Sequence, residues 1–273
     1  MNACNLGLVL LVLPACVLGT DLVLQKADRA EPANPTVTQS TVLKAVGGKA
    51  HLGISANGYF ATFENALPHF RAPGPKGGSP CGKRTRTSVT ARANNCSYAT
   101  NASPFNMDTG ACDCGVSVTG GVAYGTGGFR PGLGTTAQGD WVIGTLNSTL
   151  IDSLNVSEFA VGFSWLVRAG KNVAPTGSFV APRTAIGTTA DGRLLSLEVD
   201  GCEQSNACKF NLGKNESDMA QLLIAHGAFH AINLDGGGSS SVVQNGKVIN
   251  HPTDTDAWLL KKERAVTTIV CIQ

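Results

Sequence analysis

Ala231, Ile232, Asn233 and Leu234 lead into Asp235, and Gly236, Gly237, Gly238, Ser239, Ser240 and Ser241 follow before Val242 and Val243. The apolar run reads as a strand that delivers a carboxylate at its C-terminal end. Three glycines in succession let backbone amides approach a ligand with no side chain in the way. The hydroxyls of Ser239 and Ser240 add donors and acceptors beside them. Carboxylate, bare amides and hydroxyls together suit a polar ligand with an anionic group, such as a sugar phosphate. The same residues can also form a glycine-rich hairpin loop in which Asp235 only caps a turn. No Gly-Lys-Ser/Thr follows the glycines, so this is not a P-loop. No Gly-x-Ser-x-Gly occurs, so this is not a serine-hydrolase elbow either.

Several elements must position these groups. A helix is predicted over 216–226, with Asn215 as its cap, Glu216 and Asp218 at the positive end of its dipole, and Gly227 as its stop. Met219, Leu222 and Leu223 share the face to be buried. A strand over 229–234 follows, and a hairpin over 242–249 turns at Asn245 and Gly246. Asp191 and Gly192 turn a second hairpin between 184–187 and 194–199. Strands are also predicted over 141–146, 163–167 and 265–272, and a short helix over 85–93. Residues 41–63 read as strands and tight turns, with Asn57 and Gly58 as one such turn. Residues 71–80 are a Pro- and Gly-rich loop, and 103–139 reads as irregular. The fold class is therefore α+β: one strand-rich domain over 41–273, with mixed β-sheets and a few packed helices.

Bulk properties narrow the setting. The chain has 273 residues, 42% hydrophobic and 15% charged, which is a folded composition. A net charge of +2 argues against a nucleic-acid partner. Residues 6–13 are almost wholly apolar and break at Pro14, which predicts a signal peptide over 1–19, although no Lys or Arg precedes the run. That run is short of the roughly 20 residues a membrane-spanning helix needs, so no transmembrane anchor is expected. Residues 20–40 read as a flexible lead-in. Seven cysteines remain beyond the leader: Cys81, Cys96, Cys112, Cys114, Cys202, Cys208 and Cys271. In an oxidising compartment this suggests three disulfides and one leftover thiol. Cys112 and Cys114 are too close for a zinc knuckle and no histidine cluster accompanies them, so no metal is expected. Sequons stand at Asn95, Asn101, Asn147, Asn155 and Asn215.

Blocks spread along the chain resemble the phosphodiester glycosidase family. They are the 231–243 stretch, Arg183-Thr184-Ala185-Ile186-Gly187, Asp200 with Gly201, and the Asn245-Gly246 turn. His251, Pro252, Thr253 and Asp254, then Trp258, then Arg264, Ala265 and Val266 resemble its closing elements. Cys96 with Asn101 and Phe105, followed by 107–112, resembles its cysteine and asparagine block. Here Ala102 and Ser103 replace the family's two glycines after the asparagine, and Pro104 follows. The resemblance covers roughly residues 45–273.

The resemblance implies a hydrolase acting on a sugar-1-phosphodiester. The expected reaction removes α-linked N-acetylglucosamine from GlcNAc-1-phospho-6-mannose on glycoproteins and exposes mannose-6-phosphate, a lysosomal targeting signal. It implies no cofactor, and as partner a glycoprotein or glycan bearing a sugar phosphodiester, in the Golgi lumen or after secretion. It assigns Asp235 as nucleophile or base and Arg183 as the main phosphate ligand, a guanidinium matching phosphate oxygens in bidentate fashion. By residue type alone, Arg183 and Arg264 read as surface ion-pair partners. With the family as guide, Arg264 is a second phosphate ligand. Gly236, Gly237, Gly238, Ser239 and Ser240 complete the cradle, and Thr184 and Asn101 bind sugar hydroxyls or the acetamido group. Glu198, Asp200 or Asp254 can supply a second carboxylate, Asp200 being more simply a turn residue. The family also implies that Cys81 pairs with Cys112 and Cys96 with Cys271. The close spacing of Cys202 and Cys208 suggests a local bridge, which leaves Cys114 as the free thiol. Two alternatives are a relative acting on another sugar and a secreted glycan-binding protein without turnover.

Overall fold

The computed structural model describes residues 22–27, 36–49, 55–76, 79–112, 115–126, 130–202, 212–254 and 260–273. The signal peptide, Cys114, Cys208 and Trp258 lie outside them. Among the described residues, no helix is long and apolar enough to cross a membrane.

Three sheets form most of the molecule. One has seven strands, in the order Lys171–Asn172, Ser164–Arg168, His230–Asn233, Arg183–Thr188, Leu194–Val199, Gly58–Glu64 and Thr36–Leu43. A second has six: Val23–Lys26, Asp140–Thr145, Pro131–Thr136, Val156–Val161, Ser117–Thr119 and Val122–Tyr124. The third has five: Lys247–Val248, Val242–Gln244, Tyr98–Asn101, Ile269–Ile272 and Phe70–Arg71.

Side chains alternate across a strand, so the seven-stranded sheet is apolar on both faces. Ala61, Phe63, Ile186, Leu194 and Ile232 point into a core shared with Trp141, Ile143, Phe70 and Tyr98 of the other sheets. Their neighbours Phe60, Ala185, Leu195 and Ala231 point the other way, onto Met219, Ala220 and Leu223 of the helix Glu216–Ala225. That helix is capped by Asn215, whose Oδ1 accepts the Asp218 N–H at 2.8 Å.

The structure corrects four expectations. The named strands pair antiparallel throughout rather than as mixed sheets, and strand outweighs helix, so the fold is mostly β. The expected lead-in contributes two strands: Val23–Lys26 pairs with Asp140–Thr145, and Thr36–Leu43 pairs with Gly58–Glu64. Asn57 and Gly58 do not form a two-residue turn. Asn57 Oδ1 accepts the Ala45 N–H at 3.0 Å, and Gly58 opens its strand. Finally, the 103–139 region contains Pro131–Thr136, a fully buried strand inside the six-stranded sheet. Its glycines hid it from a hydrophobic pattern. A Cβ on Gly134 would lie 1.9 Å from the Glu158 carbonyl oxygen, so close strand approach excludes the side chains by which strands are recognised.

Disulfides join Cys81 to Cys112 and Cys96 to Cys271. Cys202 is also disulfide-bonded, while its expected partner Cys208 is outside the described residues. The Cys96–Cys271 bridge closes a separation of 175 residues. Cys271 lies in the strand that pairs with Tyr98–Asn101, so the bridge clamps the strand that carries Asn101. Replacing both cysteines with serine is expected to cost about 2–5 kcal/mol, roughly a 10 °C fall in melting temperature for a chain of this size. Calorimetry of the variant checks it.

Candidate active site

The strands His230–Asn233 and Arg183–Thr188 pair antiparallel, with Ala185 opposite Asn233. Antiparallel pairing sets the C-terminal end of one beside the N-terminal start of the other. Beyond the ladder, Leu234 N–H donates to the Thr184 carbonyl and Gly237 N–H to the Pro182 carbonyl, each at 2.9 Å. Asp235 and Arg183 therefore share one edge of one sheet. Gly236 packs on the base of the arginine: a Cβ there would lie 2.9 Å from the Pro182 carbonyl oxygen and 3.8 Å from Arg183 Cδ.

Asn101 ties this edge to the five-stranded sheet. It is fully buried. Its Nδ2 donates to the Asp235 carbonyl at 2.6 Å. Its Oδ1 accepts the Thr184 hydroxyl at 2.8 Å and the Ser241 N–H at 3.1 Å. Asp235 N–H donates to the Ala102 carbonyl at 2.9 Å. Ser103, which replaces a family glycine, accepts the Val161 N–H through its hydroxyl at 3.1 Å. Of the two departures from the family pattern, Ser103 thus adds a side-chain strut, whereas the Ala102 contact is main-chain and independent of its side chain. Asn101 is enclosed, and a glycan cannot be attached to it in this fold.

Arg183 is 7% exposed. Nε donates to the Lys214 carbonyl at 3.2 Å and Nη2 to the Phe179 carbonyl at 2.8 Å, while Nη1 lies 3.8 Å from Glu216 Oε1. The ring of Phe179, 66% exposed, sits 5.1 Å from its Cζ. Three of its nitrogens thus face groups of the protein, so Arg183 stands at the edge as an anchored charge rather than an open fork. Arg264 lies across Gly238, where a Cβ would be 2.4 Å from Nη2, and its Nε donates to Asp254 Oδ1 at 3.0 Å. The hydroxyls of Ser239, Ser240 and Ser241 and both polar atoms of Asn233 are buried without a hydrogen-bond partner. Such unmet capacity is uncommon in a folded interior, and its concentration over residues 233–241, on either side of Asp235 in the chain, points to a polar ligand.

Behind the serines lies an acid pair. Asn250 Nδ2 faces Glu198 Oε1 at 3.0 Å, Asp200 Oδ1 at 3.2 Å and the Ser240 carbonyl at 3.2 Å. Asp200 also accepts the His251 N–H at 2.8 Å, so it is more than a turn residue. Burial, with the neighbouring Asp200 charge, pushes the Glu198 carboxyl well above the usual carboxylate range, and burial raises Asp200 as well. Burial and these two acids raise the Tyr59 hydroxyl to about 12. The pair holds its proton more tightly folded than unfolded. Above the ordinary carboxylate range the folded state therefore binds more protons, and stability falls as pH rises toward the raised values. Glu198→Gln removes the Glu198 share of that dependence, so its melting temperature is expected to decline less than wild type as pH rises above the ordinary carboxylate range. Parallel melting curves that decline equally in the two proteins would contradict it.

The residues missed by sequence reasoning are Asn250 and Phe179. An asparagine or phenylalanine of this kind carries no spacing signal, since its importance lies in contacts across sheets.

Comparison with known proteins adds a lineage. The phosphodiester glycosidase family model matches residues 94–273. N-acetylglucosamine-1-phosphodiester alpha-N-acetylglucosaminidase from Bos taurus is 32% identical over 224 residues, 73% of this chain and 41% of that protein. The Homo sapiens protein of the same name is 31% identical over 230 residues, 73% of this chain and 42% of that protein. The solved catalytic domain of the zebrafish protein of that name, described as auto-inhibited by its pro-peptide, aligns with a TM-score of 0.77 at 26% identity. The match covers 92% of this chain and 87% of that one. The chain spans about half the length of the curated relatives it matches.

Proposed function

The chain belongs to the phosphodiester glycosidase family, and from that premise we propose that it hydrolyses a sugar-1-phosphodiester. The sugar is α-linked N-acetylglucosamine, and the product is the mannose-6-phosphate of a glycoprotein. The observation that carries this reading is the shared edge of Asp235 and Arg183, closed by glycine backbone and unpartnered serine hydroxyls.

In the proposed reaction the bond between C1 and the phosphate oxygen breaks, and its electron pair leaves with the phosphate. The leaving group is already a stable anion, so a strong general acid is less necessary than with an ordinary glycoside. Asp235 faces C1 as nucleophile or as the base that takes a proton from water. Arg183 and Arg264 supply positive charge, and the amides of residues 236–238 with the hydroxyls of Ser239 and Ser240 stabilise the phosphate. Thr184 and Asn101 act on the sugar side by holding the Asp235 loop in place. The disulfides support an oxidising, lumenal or secreted setting.

Incubation of purified protein with an N-acetylglucosamine-1-phospho-6-mannoside tests the reading. Free N-acetylglucosamine and mannose-6-phosphate are the expected products in equal amounts. A protein that binds this diester without releasing either product would instead be a glycan-binding member of the family.

A further inference from the structure

A third arginine stands on the opposite flank of the Asp235 strand. Pro131 accepts the Gly162 N–H at 2.7 Å, and the next amide, that of Phe163, donates to the Asn233 carbonyl at 2.7 Å. Asn233 is two residues before Asp235. The flank also leans on the same support as the carboxylate: Ala102 accepts the Asp235 N–H, and its neighbour Ser103 accepts the Val161 N–H. Arg130, at the head of this segment, lays its guanidinium over the Phe163 ring, with Cζ 4.7 Å from the centroid. Phe163 is 40% exposed, and Arg130 Nη1 is buried with no hydrogen-bond partner.

This arrangement differs from Arg183 in what it leaves free. Stacking on an aromatic face uses the π-cloud and none of the in-plane N–H groups. It leaves Nη1 as a buried donor with no hydrogen-bond partner, and a guanidinium so placed can meet two oxygens at once. In Arg183 the guanidinium edge is occupied by the carbonyls of Phe179 and Lys214 and the carboxylate of Glu216. A phosphodiester has two non-bridging oxygens and one negative charge, which matches a planar fork with an unpaired donor.

Building on the phosphodiester-glycosidase reading above, we propose that Arg130, stacked on Phe163, is the direct ligand of the substrate's phosphate. Arg183 then acts as a fixed charge from the strand on the other side of the Asp235 strand, and the phosphate lies toward the Phe163 flank. Arg130 is a specificity residue for anionic substrates: it distinguishes a sugar phosphodiester from a neutral glycoside.

Two probes separate the contributions, measured by titration calorimetry on the whole protein. One is the C-glycosyl phosphonate monoester of N-acetylglucosamine, in which CH2 replaces the scissile oxygen and prevents turnover. The other is free N-acetylglucosamine. Arg130→Ala is expected to weaken phosphonate binding about ten- to a hundredfold, the range for a charge-assisted hydrogen bond, and to leave sugar binding unchanged. Arg130→Lys should restore only part of the loss, because a point charge replaces the fork. Equal binding of the phosphonate by wild type and Arg130→Ala overturns the proposal, as does equal loss of both probes or no phosphonate binding by the wild type. Hydrolysis of the natural diester by wild type is followed separately. Arg130-dependent binding without hydrolysis would sink the enzymatic reading and leave this assignment standing; hydrolysis with an indifferent Arg130 would do the reverse.

Discussion

Asp235→Asn is expected to lower turnover of a sugar-1-phosphodiester by about a thousandfold or more, the range for removing a catalytic base or nucleophile. Its melting temperature should stay within about 2 °C of wild type, because asparagine keeps the size of aspartate and an oxygen for the Gly236 N–H. The reason for this separation is geometric. The main-chain groups of Asp235 serve the fold, through Asn101 Nδ2 and the Ala102 carbonyl. Its carboxylate accepts the Gly236 N–H at 3.0 Å, an interaction that asparagine Oδ1 can keep. Asparagine removes the charge facing C1 while preserving size and this bond. Single-turnover kinetics beside a thermal melt distinguish the two effects. A variant with near-normal turnover would remove Asp235 from the mechanism.

Asn101→Ala should be damaging in a different way, through stability and geometry together. It deletes the acceptor of the Thr184 hydroxyl and of the Ser241 N–H, and the donor to the Asp235 carbonyl. All lie in a buried region, and each orphaned group costs about 1–3 kcal/mol. A loss of at least about 3 kcal/mol is expected, or roughly 6–12 °C in melting temperature. Because these bonds set where Asp235 sits, residual activity in the folded fraction should fall about a hundredfold, as for a displacement near 1 Å at a reacting group. Asn101→Asp makes the comparison sharp. It keeps an acceptor for Thr184 and Ser241 but donates to the Asp235 carbonyl only when protonated, so it should be slow where it is ionised and recover as pH falls. Chemical denaturation with activity assays at matched folded fraction measures both terms. An Asn101→Ala protein that melts with the wild type would remove the tie from this account.

Local rules made much of the fold legible. The helix Glu216–Ala225 follows from its Asn215 cap, acidic first turn and Gly227 stop, and it forms where those signals lie. The hairpin at Asn245 and Gly246 follows from two residues that tolerate positive φ, found at 50° and 74°. Both depend on neighbours a few positions away. The strand Pro131–Thr136 was not legible, since its glycines are required by the neighbouring strand Val156–Val161 and tell nothing in isolation. The strands Val23–Lys26 and Thr36–Leu43 were missed for a related reason. They are sheet-edge strands recruited by distant partners, and their sequence is too polar to announce them.

The candidate site divides along the same line. Asp235, the three glycines and the serines adjoin in the chain, so residue chemistry alone pointed to an anionic, polar ligand. The membership of Arg183 in that site depends on the antiparallel register of two strands whose relevant residues are more than fifty positions apart. Sequence by itself determined the local parts: a carboxylate at a strand end, bare amides after it, a capped helix before it. Tertiary structure alone decided that Asn101 is a tie, that Glu198 and Asp200 are buried together against Asn250, and that Arg130 lies over Phe163 next to the strand that carries Asp235. Backbone conformation is set by short-range sterics and hydrogen bonds, which a few residues encode. Hydrogen-bond satisfaction and charge pairing in the interior are set by whichever groups the sheets bring within about 3 Å, and that is a property of the packed molecule.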